Sequence, residues 1–270
     1  MKLEKIGDGK SLEFKDNNEY LKLQCQWMNE EQGDLNSEDG VECELCKNKG
    51  FIAVIEDNFI KYKDCECKPK RKIAKRLKNC GVSDSMLQHY TFSNYKVNDK
   101  WQEITKNIFL DYSKDIFNGK TYWIYISGIT GSGKTHLSVA AFQKIIKSGK
   151  HLAEYMNWNE ESLRLISLSK SYDTEEYDKR LLRLQSVQLL YIDDFMKLTD
   201  SKFNKESISL AFRILDYRYR NDLPTMISSE LSLEELSEID SAVARRISEK
   251  ANNGNYIIDL SKNEERKYKF

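Results

Sequence analysis

Eight consecutive residues, Gly128, Ile129, Thr130, Gly131, Ser132, Gly133, Lys134 and Thr135, spell the pattern GxxxxGK[ST] directly after the apolar run at 122–126. Residue types at this spacing do phosphate chemistry. The glycines let the backbone bend so that its N–H groups point inward at phosphate oxygens. Lys134 can set its ammonium against the β- and γ-phosphates, and Thr135 can offer its hydroxyl to Mg²⁺. A helix starting here would add its positive dipole end. The strand before the loop and the helical pattern after it argue against an ordinary glycine-rich turn. The expected nucleotide-contacting stretch runs on to His136, although a histidine at that helix position suits packing better than catalysis.

Hydrolysis of ATP also needs a magnesium ligand and a group that positions water. Residues 187–195 form an apolar strand ending in Asp193 and Asp194, the Walker B pattern. Asp193 can hold the Mg²⁺ shell with Thr135, and Asp194 can orient or deprotonate the attacking water. Open parallel sheets gather such groups at their C-terminal strand ends, so loop and carboxylates should meet. Another strand, 224–229, ends in Ser229 and Glu230, either of which can sit near the γ-phosphate. Arg245 and Arg246 fall on a helix. There an arginine is by default solvated, but one aimed at another subunit's γ-phosphate can stabilise charge developing in transfer.

A second constellation is made of cysteines. Cys43 and Cys46 are separated from Cys65 and Cys67 by eighteen residues. Four thiolates on two paired segments can close a tetrahedral Zn²⁺ site. Between the pairs, 50–55 and 58–62 read as two short strands around a turn near Asp57 and Asn58, a zinc-ribbon arrangement. The site would be closed and structural, holding a module too small to build its own core. Cys25 and Cys80 have no partners by spacing, and His89, His136 and His151 form no cluster.

These residues need elements to position them. The chain of 270 residues, 40% hydrophobic and 11% aromatic, can build a core, and its formal net charge of zero provides no global field toward nucleic acid. The charged N-terminus does not read as a signal peptide, and no apolar run approaches membrane-spanning length. Six cysteines without a secretion signal suggest a reducing, cytoplasmic setting. Residues 29–40 are almost wholly polar and read as a linker. Residues 68–78 carry seven Lys/Arg in eleven positions, including Lys70, Arg71, Lys72, Lys75 and Arg76, dense enough to contact phosphates and equally suited to a solvated helix face. Trp101, Ile104, Ile108, Tyr112 and Ile116 share one face of a predicted helix. Strands are predicted at 122–127, 151–155, 187–193, 224–229 and 255–259. Helices are predicted at 134–147, 160–170, 177–185, 204–220 and 241–250. This alternation implies an α/β fold with a parallel sheet flanked by helices. The expected organisation is an N-terminal segment and linker at 1–40, a zinc module at 41–68, a basic connecting segment at 69–100 and an ATPase domain at 101–270.

The ordered set GITGSGKTHL, LLYIDDF, LDYRYRNDLPTMISSELSLEEL and AVARRI resembles the AAA+ ATPases of the DnaC/DnaI-type helicase loaders, in the same ATPase group as the transposition helper IstB. The resemblance covers about residues 90–270, and the cysteine module is similar to one carried by some members. It implies a P-loop ATPase with a five-stranded parallel sheet and little or no lid, for which little chain remains after 260. It also implies Lys134 and Thr135 as phosphate and magnesium residues, Asp193 and Asp194 as the Walker B pair, and Arg246 as an arginine finger shared through self-association at the ATP site. Many members carry Asn where this chain has Glu230. A carboxylate there should point away, leaving Ser229 nearer the γ-phosphate. Arg266 or Lys269 would serve as the C-terminal sensor. Residues 1–68 would dock on a hexameric replicative helicase. The segment 155–172, with Tyr155, Trp158, Arg164, Lys170 and Tyr172, would line a path for single-stranded DNA. Two other functions suit parts of the pattern. One is a transposition helper on duplex DNA, against which the cysteine module argues. The other is a non-hydrolysing adaptor on the helicase, which Glu230 leaves open.

Overall fold

From α5 (Lys100–Phe117) onward, apolar runs alternate with amphipathic segments, and the computed structural model shows what they build. It describes residues 2–4, 11–13, 17–171, 174–197 and 205–260. The chain forms two units, divided after Lys75.

In the larger unit, after α4 (Asp84–His89) and α5, come β5 (Ile124–Ser127), α6 (Lys134–Lys147), β6 (Ala153–Asn157), α7 (Trp158–Ser169) and α8 (Thr174–Ser186). β7 (Leu189–Asp193), α9 (Lys205–Arg220), β8 (Thr225–Ser229), α10 (Leu233–Ile239), α11 (Ser241–Lys250) and β9 (Ile257–Asp259) follow. The strands order as β6-β7-β8-β5-β9, and every pair is parallel. All five predicted strands and their intervening helices are present within a few residues. Successive side chains of a strand point to opposite faces, and the core divides accordingly. Ile124, Ile126, Leu189, Tyr191 and Met226 pack with α5 and α6. Tyr125, Leu190, Ile192 and Ile227 pack with α7, α8, α9 and α11. Burial on both faces is why these strands read as continuous apolar runs.

Arg218 of α9 is fully buried, and among the described residues no carboxylate pairs with it. Its guanidinium donates to the carbonyls of Leu184, Gln185, Val187 and Pro224 and to Thr225 Oγ1, at 2.7–3.1 Å. It thereby caps the C-terminal end of α8, where a cation is favoured by the helix dipole, and ties α9 to the starts of β7 and β8.

Two expectations for this unit change. α5 buries Thr105, Phe109, Tyr112 and Ile116, while Ile104 is exposed, so the buried stripe is rotated from the predicted one. The segment expected to connect domains is partly core: Cys80, Val82 and Tyr95 are buried with the α5–α6 cluster. The Cys80 carbonyl accepts from the Tyr155 N–H on β6 at 2.6 Å.

The smaller unit holds β1 (Lys2–Glu4), β2 (Ser11–Glu13), α1 (Asn17–Glu30), α2 (Leu35–Asp39), the hairpin β3 (Phe51–Glu56) and β4 (Phe59–Asp64), and the start of α3 (Lys68–Lys78). The hairpin turns on Asp57 and Asn58, both at positive φ, as a two-residue turn between twisted strands requires. Residues 29–40 are structured rather than a linker. The Gly33 N–H donates to the Lys47 carbonyl at 2.6 Å, and Leu35 N–H to the Asn48 carbonyl. The Asn29 side chain exchanges two hydrogen bonds with the Ala53 backbone at 2.7 and 2.9 Å. A segment held by polar bonds to loops leaves no hydropathy signature.

Among the described residues, no helix is long and apolar enough to cross a membrane.

Candidate nucleotide-binding site

The loop joining β5 to α6 is a cradle that needs glycine. A Cβ on Gly128 would come within 2.7 Å of Leu260 Cβ, and Gly133 begins the helix at φ +87°. Lys134 is buried, and its ammonium donates to the carbonyls of Gly128 (2.7 Å) and Ile129 (3.0 Å). Burial pulls the Lys134 pKa down, against the pull of Glu230, Asp194 and Asp193. The Ser132 hydroxyl is buried in the loop without a hydrogen-bond partner among the described residues.

β7 ends beside the loop. Asp193 Oδ1 accepts from Thr135 Oγ1 (3.1 Å), from Tyr191 OH (2.7 Å) and from Ser228 Oγ, while Asp193 Oδ2 accepts from Tyr155 OH (3.2 Å). Four hydroxyls from four elements thus fix this carboxylate. Thr135 was predicted as its neighbour; Tyr155 and Ser228 were not, because contacts between strands are not written in local sequence, while Tyr191, two residues before Asp193 on the same face of β7, was open to the alternation rule. Asp194 follows at φ +53°, a conformation that costs a non-glycine residue energy. Burial first, then the Asp193 charge, holds the Asp194 carboxyl above its ordinary pKa.

A cavity of about 210 Å³ opens over the loop, lined by Tyr90, Thr130, Gly131, Gly133, Lys134, Thr135, His136, Asp194, Lys197 and Glu230. It is smaller than the roughly 300–1,000 Å³ of a whole small-molecule pocket, so it fits the phosphate end of a nucleotide. His136 both lines it and packs. Its Nε2 pairs with the Thr91 carbonyl at 2.9 Å, and its ring stacks on Tyr90 and meets Tyr95 edge-on. Tyr90 and Lys197 are cavity residues that the motifs did not single out.

Glu230 and Ser229 are reversed from expectation. Ser229 is fully buried, donates to the Phe195 carbonyl (2.7 Å) and accepts from the Leu231 N–H. Glu230 lines the cavity, accepts from Thr130 Oγ1 and pairs with Lys197 at 3.0 Å. The cause is strand alternation: the last β8 residue points into the sheet, and the next one clears it.

Arg246 lies on α11 with its guanidinium on Asp216 (2.6 and 3.0 Å) and over the Phe212 ring at 4.6 Å. Arg245 is exposed and paired with Glu249. The expected DNA-facing residues scatter. Trp158 is core, edge-on to Phe195, and Tyr155 serves Asp193. Arg164 and Lys170 are exposed in ion pairs with Glu176 and Glu206. Tyr172, Arg266 and Lys269 lie outside the described residues.

The four cysteines converge. All six cysteines are free, and the sulfurs of Cys43, Cys46, Cys65 and Cys67 lie within 4.8 Å of one another. Cys43–Cys65 and Cys46–Cys67 are 3.7 and 3.6 Å apart. A tetrahedral Zn–S₄ site with 2.3 Å bonds has sulfurs about 3.8 Å apart, so the donor set fits zinc. The Gly50 N–H and Arg71 Nε each donate to a cysteine sulfur at 3.3 Å. Arg71, expected among phosphate-contacting cations, is buried on Cys67 and on Asp39 at 2.8 Å. Its place one turn after Cys67 sends it inward, so it belongs to the cysteine site.

A phosphate loop after β5, carboxylates ending β7 and the strand order β6-β7-β8-β5-β9 define a P-loop fold of the AAA+ type, with the site at the C-terminal strand ends. Residues 63–263 match the family described as IstB-like ATP binding protein, and the chain belongs to that family. It is 29% identical over 216 residues to the phage-like element PBSX protein XkdC of Bacillus subtilis (strain 168), spanning 77% of this chain and 79% of that protein. It is 26% identical over 175 residues to the replicative helicase loader DnaC of Escherichia coli (strain K12), spanning 63% of this chain and 66% of that protein. The fold is shared with the crystal structure of the DnaI, at TM-score 0.53 and 20% identity over 67% of this chain and 93% of that one. It is also shared with the DnaC helicase loader structure, at TM-score 0.50 and 22% identity over 66% and 98%.

Proposed function

We propose that the protein is a cytoplasmic, ATP-hydrolysing loader of a hexameric replicative DNA helicase. The observation that carries this reading is the meeting of Lys134, Thr135, Asp193 and Asp194 at the C-terminal ends of β5 and β7, in a family that binds ATP. The relative named as a replicative helicase loader supports the choice of partner.

In this reading Lys134 leaves the loop carbonyls for the β- and γ-phosphates. Thr135 Oγ1 and Asp193 are hard oxygen donors 3.1 Å apart and would hold Mg²⁺, which when bound neutralises charge on the phosphates. Asp194, with its raised pKa, orients or deprotonates the attacking water. Arg246 would exchange Asp216 for the γ-phosphate of a neighbouring subunit, so that self-association completes the site. Zinc on Cys43, Cys46, Cys65 and Cys67 would hold the N-terminal unit in the shape that docks on the helicase. Exposed cations, Lys70 and Lys72 among them, would contact single-stranded DNA, while Lys75 is paired with Glu38 at 3.2 Å.

Glu230 in the cavity favours one other reading, an adaptor that senses ATP without cycling. ATP hydrolysis measured with and without single-stranded DNA separates the two. Capture of a purified replicative helicase by the full chain tests the loader role, and no ATP-dependent capture would overturn it.

A further inference from the structure

Lys197 sits where neither motif predicted a functional group. Its ammonium is 3.0 Å from Glu230 Oε1 and 3.5 Å from Asp194 Oδ2. Glu230 in turn accepts from Thr130 on the phosphate loop. The turn after β7, the end of β8 and the loop after β5 are therefore linked by one cation and one carboxylate at the cavity wall.

The backbone builds this placement. Asp194 and Met196 both adopt positive φ, and the Lys197 N–H closes the turn on the Asp194 carbonyl at 3.1 Å. The turn is fastened to β8 twice, by the Phe195 N–H on the Ser228 carbonyl (2.8 Å) and by Ser229 Oγ on the Phe195 carbonyl (2.7 Å). Two left-handed residues are strain that the surrounding contacts must hold. What they achieve is to fold Lys197 back over the Asp194 carboxylate and against Glu230.

We propose that Lys197 and Glu230 act together as the γ-phosphate reader: Lys197 distinguishes ATP from ADP, and Glu230 retains Lys197 when no γ-phosphate is present. The inference rests on the cavity being the ATP site. A carboxylate facing the γ-phosphate is repulsive by itself, but one ammonium can serve either anion. The lysine stem is flexible, and its ammonium has three donors. With ADP, Lys197 stays on Glu230 and Asp194. With ATP, it turns to the γ-phosphoryl oxygens, Glu230 keeps its bond from Thr130, and Asp194 loses its cation and becomes free to engage water. No covalent bond changes in this exchange.

The test measures competition of ATP and of ADP, with Mg²⁺, against a fluorescent ADP analogue on the full-length protein. Lys197→Met is expected to weaken ATP by about 10- to 100-fold, as loss of a charge-assisted contact does, and ADP by less than about threefold. Lys197→Arg should retain the preference for ATP. In the Lys197→Met background, Glu230→Gln should restore most of the ATP affinity, because the unpaired carboxylate is gone. Glu230→Gln alone should raise the ATP-to-ADP preference, which keeps the proposal testable if Lys197→Met folds poorly. Equal weakening of both nucleotides by Lys197→Met, no weakening of either, or no rescue by Glu230→Gln would overturn it. Lys134→Ala separates the two levels. If the wild type binds neither nucleotide, or Lys134→Ala leaves both affinities unchanged, the ATP site itself is wrong. If Lys134→Ala loses both while Lys197→Met discriminates as well as wild type, only the reader assignment fails.

Discussion

Stripping zinc should unfold the N-terminal unit and leave the ATPase unit standing. Among the described residues of that unit, the fully buried apolar side chains are Cys46, Ala53, Cys65 and Cys67, three of them the proposed ligands. Ala53 contributes about 1 kcal/mol of burial at roughly 25 cal/mol per Å². The buried Arg71–Asp39 pair adds little net stability, since desolvation consumes most of its attraction. Structural zinc supplies about 10–16 kcal/mol in small cysteine modules, as much as the whole stability of a typical domain. Removing it therefore leaves the unit without a sufficient driving force. The assay is hydrogen exchange on the full chain before and after metal is removed by a chelator, with released zinc titrated against protein. The amides of β3 and β4 should lose their protection, those of β5, β7 and β8 should keep theirs, and about one zinc should leave per chain. A metal-free protein whose β3–β4 hairpin exchanges as slowly as before would refute this reasoning, as would a chain purified under reducing, chelator-free conditions with no metal.

Asp194→Asn should bind ATP and hydrolyse it about 10²–10⁴-fold more slowly, the usual worth of a general base. Because burial and Asp193 raise the Asp194 pKa in the folded state, its contribution to stability is present below the unfolded value of 3.8 and is lost as pH rises through the raised pKa. The urea midpoint of the Asn variant should therefore gain on wild type between pH 4 and pH 7, and the opposite trend would sink the argument. Arg218→Met removes the one donor that serves the Leu184, Gln185, Val187 and Pro224 carbonyls and the Thr225 hydroxyl, and should cost about 3–5 kcal/mol as several polar groups lose a partner. That is a fall in the urea midpoint of about 1–2 M, and a shift equivalent to under about 1 kcal/mol would contradict the hub assignment. Arg246→Ala should cost the protomer only about 1 kcal/mol, because Asp216 keeps Arg220 at 2.8 Å. If Arg246 completes a neighbour's site, the same change should remove ATP-driven self-association and slow hydrolysis by about 10³-fold; a fully active monomeric variant would exclude that role.

The phosphate loop, the Walker B carboxylates and the four cysteines were legible because each is a local pattern whose chemistry constrains its spacing. The parallel sheet was legible for a similar reason, since strands buried on both faces are uniformly apolar. Errors arose where function or packing depended on partners distant in sequence. Arg71 looked like one cation among many until Cys67 and Asp39 enclosed it. Trp158 and Tyr155 looked like DNA contacts until Phe195 and Asp193 claimed them. Residues 29–40 looked like a linker because hydrogen bonds to the loop carbonyls of Lys47 and Asn48 have no compositional signature.

By itself, the sequence determined that this chain carries a phosphate-binding loop on a strand–loop–helix unit and two cysteine pairs able to meet, because those capacities reside in residue type and short-range spacing. Only the tertiary structure decided which groups line the cavity over the phosphate loop. Whether Ser229 or Glu230 faces the cavity depends on where β8 ends, and whether Lys197 reaches Glu230 depends on a strained turn fastened to a neighbouring strand. A one-residue difference in strand phase reverses a side chain's direction, and the Lys197–Glu230 contact, 33 residues apart in sequence, is fixed by the sheet that carries both turns.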